Sequence, residues 1–220
     1  MARTRWIAGA ALTAVVLAGC ASSTTTAPTP GGAITTSPPA VQTTTPPTGS
    51  TPTGVASQAP VAVEIHPPGD ISDTIAYVPH TITKGGVSVK IPEGWAQTNG
   101  STAVNFTDKL NTVNVSWAPA TAAPTVASAK KTEVPMLQQT VLAFQLKSVT
   151  TATLPAGPAV LITYEDNSAP NPVTGKQYRE TVLRYELFHN GQETVLTLLS
   201  PVGADNVDPW RIVTESLQWK

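Results

Sequence analysis

The chain has 220 residues, 13 Lys and Arg against 14 Asp and Glu, three His and a single Cys. With a formal net charge of −1 and only Lys130 and Lys131 adjacent among the basic residues, it has no electrostatic footprint for a nucleic acid. One cysteine rules out a disulfide framework, and His66, His80 and His189 are too scattered to give a compact metal-ligand spacing.

Arg3 and Arg5 precede an apolar run from Trp6 to Leu17, closed by Leu17-Ala18-Gly19-Cys20. A positive start, a short apolar middle and small residues at the end describe a secretory signal over residues 1–19, since the run falls short of the roughly 20 apolar residues that cross a bilayer. Its last four residues resemble the lipobox of bacterial lipoproteins, in which cleavage after Gly19 leaves Cys20 acylated as the new N-terminus. Each buried CH₂ of an acyl chain contributes about 0.8 kcal/mol, so a diacylglyceryl group on Cys20 holds a protein at the outer face of the cell membrane durably. No thiol then remains as a metal ligand or nucleophile. Loss of Arg3 and Arg5 with the signal leaves 11 basic against 14 acidic residues, a net charge of −3.

Residues 20–63 are expected to be the acylated Cys20 and a disordered linker. From Ala21 to Val63 there is no charged residue, and Thr, Pro, Ser, Ala and Gly dominate, as in Thr43-Thr44-Thr45-Pro46-Pro47. Such a segment buries too little apolar surface to offset its ordering entropy. Its prolines favour an extended form with a reach on the order of 130 Å, enough to display a domain in the cell wall or periplasmic space.

Residues 64–220 are expected to be one folded domain. Val87-Ser88-Val89-Lys90-Ile91 alternates with period two and stops at Pro92-Glu93-Gly94, a strand and its turn. Val104 and Phe106, then Val113, Val115 and Trp117, alternate on either side of Asp108-Lys109, a hairpin with one buried face. The period then changes. Val126, Ala129, Glu133, Leu137 and Val141 predict a helix starting near Thr125, kinked or divided at Pro135. Strands follow over 144–154, 158–164, 178–188 and 193–199, with Asn190-Gly191 as the sharpest hairpin signal. Ala159–Ile162 and Val195–Leu199 are apolar on both faces, which predicts central strands covered from two sides. Asp208 before Pro209 predicts an N-cap for a last helix that buries Trp210, Val213 and Leu217. The fold class is α+β, an antiparallel sheet with helices packed on it.

Gly85-Gly86-Val87 to Trp95, Gly175 with Arg179 to Tyr185, and Ser200-Pro201-Val202-Gly203-Ala204-Asp205-Asn206-Val207-Asp208-Pro209-Trp210-Arg211 with Trp219 resemble the actinobacterial (mycobacterial) LpqN/LpqT-type lipoproteins. The resemblance runs from Ile71 to Trp219. It implies an α-β-α sandwich shared with the photosystem accessory protein PsbP, a place in the cell envelope, and binding of envelope lipids or partner proteins. It carries no active site.

The residues themselves offer little chemistry. No Gly-x-Ser-x-Gly is present, so there is no recognisable catalytic set, and no cofactor or metal is expected. Asp205 with Asp208 reads as helix capping, and Glu165-Asp166-Asn167 as a solvated turn. Arg184 and Glu186 share a strand face with Val182; they read as a cross-strand charge pair or, alternatively, as the lining of a groove where Arg184 holds an anionic or sugar head group. Trp95 and Tyr164, each at an element's end, are the expected rim residues of such a groove. The expected function is a non-catalytic envelope lipoprotein that binds an apolar envelope molecule, such as a glycolipid, or an envelope-biogenesis partner protein. A hydrolase of cell-wall glycolipid or glycan and a structural scaffold of an envelope complex are the alternatives.

Overall fold

The computed structural model describes residues 58–220. The expected signal, Gly19, the acylated Cys20 and nearly all of the linker lie outside the described residues.

Period-two alternation builds the strands. Tyr77–Ile82 (β1), Val87–Pro92 (β2) and Gln218–Trp219 (β10) form a three-stranded sheet with β2 in the middle. Ala96–Asn99 (β3), Ala103–Asp108 (β4), Asn111–Pro119 (β5), Gln145–Leu154 (β6), Gly157–Asn167 (β7), Arg179–His189 (β8) and Gln192–Pro201 (β9) form a seven-stranded sheet in the order β3-β4-β5-β9-β8-β7-β6. Every pairing is antiparallel. After β5 the chain crosses to the far edge and returns as the meander β6 to β9, so that β9 lands beside β5. At the β8–β9 turn, Asn190 and Gly191 take φ of 49° and 78°, the pair of positive values that a two-residue type I′ hairpin requires.

The sequence predicts one sheet and the structure contains two. β1 contains Pro79 at an edge and a mostly exposed pattern, and β10 has two residues, so neither carries an alternation to read.

The large sheet is buried on both faces. On one, Phe106, Val113, Val115, Leu187, Leu196 and Leu198 pack against the small sheet and against Val207–Glu215 (α3), through Trp210, Val213 and the adjoining Leu217. On the other, Val160, Ile162, Tyr164 and Val182 pack under a helical rod through Ala129, Val134 and Leu137. The fold is α+β, an antiparallel sheet with helices packed on it, as expected, and the small sheet shares one of its covers with α3.

The rod runs through Val126–Ser128 (α1), a π turn at Ala129–Glu133 and Val134–Thr140 (α2). Thr125 caps it, accepting from Ser128 N–H while the Ser128 hydroxyl accepts from Thr125 N–H. Pro135 falls in the first turn of α2, just after the π turn that divides the rod. A proline clashes with the carbonyl four residues back, and the wider π turn just before it gives that carbonyl room. The extra residue in the turn also shifts the buried face: Val134 goes inward, and Glu133, expected there, turns to Arg184 at 3.4 Å.

The N-cap position of α3 is Asn206, not the expected Asp208, which lies in the first turn. Pro209 is tolerated inside the first turn, where a backbone N–H has no helical partner to lose. Asn206 is 2% exposed and caps nothing with its side chain, which is committed elsewhere. Its Oδ1 accepts from Ile71 N–H at 2.8 Å, and its Nδ2 donates to Gly69 O at 3.0 Å and to Asn111 Oδ1 at 3.1 Å. Asn111, also 2% exposed, donates to the same Gly69 carbonyl at 2.7 Å. One buried network thus joins the segment before β1, the β4–β5 hairpin and the start of α3.

Asn206→Ala strips a partner from a buried N–H and weakens a buried carbonyl's bonding at once, so urea denaturation should show about 2–4 kcal/mol less stability. A loss below about 0.5 kcal/mol would show the network to be dispensable.

Candidate functional site

α3 covers only part of its face of the large sheet. Beside it, Thr181, Leu183 and Tyr185 of β8 form a floor that continues under the wall of α3 and the loop before it, leaving a cleft of about 390 Å³. Pro201, Val207 and Trp210 give the wall an apolar surface, and Ser200, Arg211 and Thr214 supply polar groups. Arg211 stays at the surface, paired with Asp208 and Glu215, each at 3.2 Å. Val207 is 75% exposed, an unusual setting for valine in a first helical turn. Burial raises the Tyr185 hydroxyl above its ordinary value, which keeps it a neutral hydrogen-bonding group. A larger opening of about 480 Å³ under α1 has no charged residue among those that line it.

The expected rim residues do not meet. Trp95 is 9% exposed and packs edge-to-face on Trp210, with ring centroids 6.3 Å apart. It therefore backs the cleft wall without lining it. Tyr164 and Arg184 are on the opposite face of the sheet. Tyr164 is buried against Phe144 at 5.0 Å, and burial with the nearby Asp166 pushes its hydroxyl far above the usual range. Arg184 is ion-paired with Glu186 at 2.8 Å and Glu133 at 3.4 Å, so its charge is already met. Two of the three histidines are packing groups, His80 meeting Phe106 at 4.7 Å and His189 stacking on Trp219 at 4.8 Å, while His66 is exposed. Among the described residues, no three His, Cys, Asp or Glu converge as a metal set.

Glu165-Asp166-Asn167 is not a solvated turn. It is the end of β7, and Asp166 and Asn167 are 8% and 3% exposed. Asn167 accepts from Val61 N–H and donates to Ala59 O, docking the incoming chain, while Arg179 donates to Asn167 Oδ1 and to Ala143 O. Asp166 faces Glu180 directly across the β7–β8 ladder. Burial first, then Glu180, pushes the Asp166 carboxyl up to about 8, with Arg179 pulling the other way; burial pushes Glu180 to about 7. Asp166 Oδ1 has no hydrogen-bond partner among the described residues. Glu180 lines a cleft of about 350 Å³ with Lys109, Lys176 and Tyr178, and Asp166 is not part of its lining. The sequence missed this pair because the two residues lie on strands separated by a Pro-rich loop, and only the ladder register sets them face to face.

The sequence matches no protein-family model and no curated protein. Among solved structures, the chain is similar to cyanobacterial PsbP from Synechocystis sp. PCC 6803, with 13% identity, a TM-score of 0.46, and coverage of 70% of this chain and 99% of that one. It is similar to a point mutant of the protein Mog1, with 8% identity, a TM-score of 0.45, and coverage of 66% and 96%. It is also similar to a protein from Bacteroides thetaiotaomicron, with 12% identity, a TM-score of 0.41, and coverage of 61% of this chain; this chain spans 45% of that one.

Asp166 and Glu180 bind protons more tightly folded than unfolded, so between their ordinary values of 3.8 and 4.5 and their raised values of about 8 and 7 the fold holds the extra proton and stability falls as pH rises. Asp166→Asn removes most of that dependence. The melting temperature of the parent should drop relative to the variant from about pH 4 to about pH 8, and parallel melting curves would contradict the assignment.

Proposed function

We propose that the protein is a non-catalytic binding module of the cell envelope, held at the outer face of the membrane through acylated Cys20. In this reading the linker displays the folded part in the wall, and the cleft between α3 and β8 takes an apolar envelope molecule with a polar head, of the glycolipid class. The cleft carries the reading. Its volume of about 390 Å³ falls within the ~300–1,000 Å³ of small-molecule sites. Leu183, Tyr185, Pro201, Val207 and Trp210 favour apolar contact, while Ser200 and Arg211 offer polar groups to a head group. The segment from Ser200 to Arg211, which builds the wall, is also the segment that most resembles the LpqN/LpqT-type lipoproteins.

Hydrolysis has one specific observation in its favour, the facing carboxyls of Asp166 and Glu180 with their raised pKa values. Two-carboxylate hydrolysis needs both groups against the bond that breaks. Here Glu180 reaches a cleft and Asp166 is packed away from it, which favours binding over turnover.

Two measurements test the proposal. Full-length protein extracted from its host membrane in mild detergent should carry a bound apolar molecule in native mass spectrometry. Val207→Glu, at an exposed position that unfolding does not threaten, should cut that occupancy several-fold; a clean unliganded mass for the parent would refute the cleft's role. Cys20→Ala should move the chain from the membrane fraction to the medium, and unchanged fractionation would refute the anchor.

A further inference from the structure

The polar side chains of the cleft beside α3 divide into those already engaged and those that are not. Arg211 has its charge met by Asp208 and Glu215. The Asn206 amide is held at both ends by Ile71, Gly69 and Asn111. The Thr214 hydroxyl donates to Trp210 O at 2.9 Å. Thr181, Tyr185, Ser200 and the Trp210 indole line the same cleft, and their hydroxyl and N–H groups bond to none of the described residues.

Ladder register puts three of these groups on one surface. Thr181 is paired with Ser200, Leu183 with Leu198 and Tyr185 with Leu196, so these side chains all point to the α3 side of the sheet, where Leu196 and Leu198 enter the core. Ser200 is 6% exposed and Trp210 7%, and polar groups on residues so buried are ordinarily hydrogen-bonded. Neither polar atom is sealed, however. Among the described residues, the side-chain atoms both shut off from solvent and unpartnered are Asp166 Oδ1 and Glu186 Oε2. Ser200 Oγ and Trp210 Nε1 therefore keep accessible surface, and the cleft is the opening that their residues line.

The chemistry of these groups selects what satisfies them. An indole N–H only donates, and each hydroxyl has one proton to give. The cleft lining contains no carboxylate, and its one side-chain amide, Asn206, is taken. A group rich in O–H donors would leave its own protons unmatched there, whereas a carbonyl oxygen accepts two hydrogen bonds and donates none. An anion meets no free cation, because Arg211 is neutralised and burial keeps Tyr185 protonated. We propose, on the reading that this cleft is the binding site, that it selects an uncharged acyl ester: the ester carbonyl accepts from Ser200, Tyr185 and Trp210, and the hydrocarbon follows Leu183 and Val207. In an acylated sugar this is the junction of chain and head, which leaves the sugar hydroxyls outside in water.

The test is an amide-shift titration of the ¹⁵N-labelled full chain, held in an amphipathic polymer, with ethyl octanoate, ethyl octyl ether and octanoate. The ester should shift amides of β8 and β9 around Leu183 and Ser200 and bind about 5- to 10-fold tighter than the ether, which lacks the carbonyl, or the anion. Ser200→Ala and Tyr185→Phe remove hydroxyls that no described residue bonds, so the fold is not threatened. Each should cut the ester's advantage about 3-fold and leave the Kd of the ether unchanged. Equal weakening of ester and ether by both variants would show a structural role and overturn the assignment. Equal affinity for the three probes, or tightest binding of octanoate, would overturn it while leaving the cleft as an apolar binding site. No shift around the cleft with any probe would overturn both.

Discussion

Leu196 and Leu198 turn to one side of β9, Val195 and Thr197 to the other, and none of the four is more than 8% exposed. β7 repeats this with Ala159 against Val160 and Ile162. Strands of this composition are unstable with either face in water, so the sheet must be covered twice. The helical rod supplies one cover; the small sheet and α3 together supply the other. Neither spans all seven strands. The clefts on the two faces are the places where a cover stops, which is why the openings share walls of helix and floors of strand.

The two faces differ in what their cover leaves behind. Beside α3 the floor is Leu183 and Tyr185, and the loss of water there exposes apolar surface to anything that can replace it. Under the rod, Arg184, Glu186 and Glu133 put charge into a buried layer. Buried ion pairs recover their desolvation cost only when every charge is met. With Glu193 added and one oxygen of Glu186 unpartnered among the described residues, the acid side is in excess. The sheet thus offers an apolar surface on one side and an anionic one on the other.

Much of this architecture was legible in the amino-acid order. Period-two runs marked β2 and β4 to β9, Asn190-Gly191 marked its hairpin, and the doubly apolar strands marked the two-sided cover. What stayed hidden depends on distance or on register. Pro135 announces a disturbance, but a proline does not reveal that a π turn will absorb it, and that turn decides whether Glu133 or Val134 faces inward. Asn206 looks like an ordinary loop residue until Gly69, Ile71 and Asn111 come within hydrogen-bond reach of it. The alternation correctly set Arg184 and Glu186 on one face with Val182. It could not show that the rod would seal Glu186 away from water.

Recognition at the edge of the α3 cover is the claim on which the functional account rests. The most direct measurement places a photo-crosslinking amino acid at Val207 in the full-length protein in its own host and identifies what is captured. A covalent adduct to an apolar envelope molecule, competed away when Leu183 is enlarged to Trp, is the predicted result. Capture of solvent alone, or of the same species when the photo-probe is moved to an exposed residue on the helix face, would contradict the account.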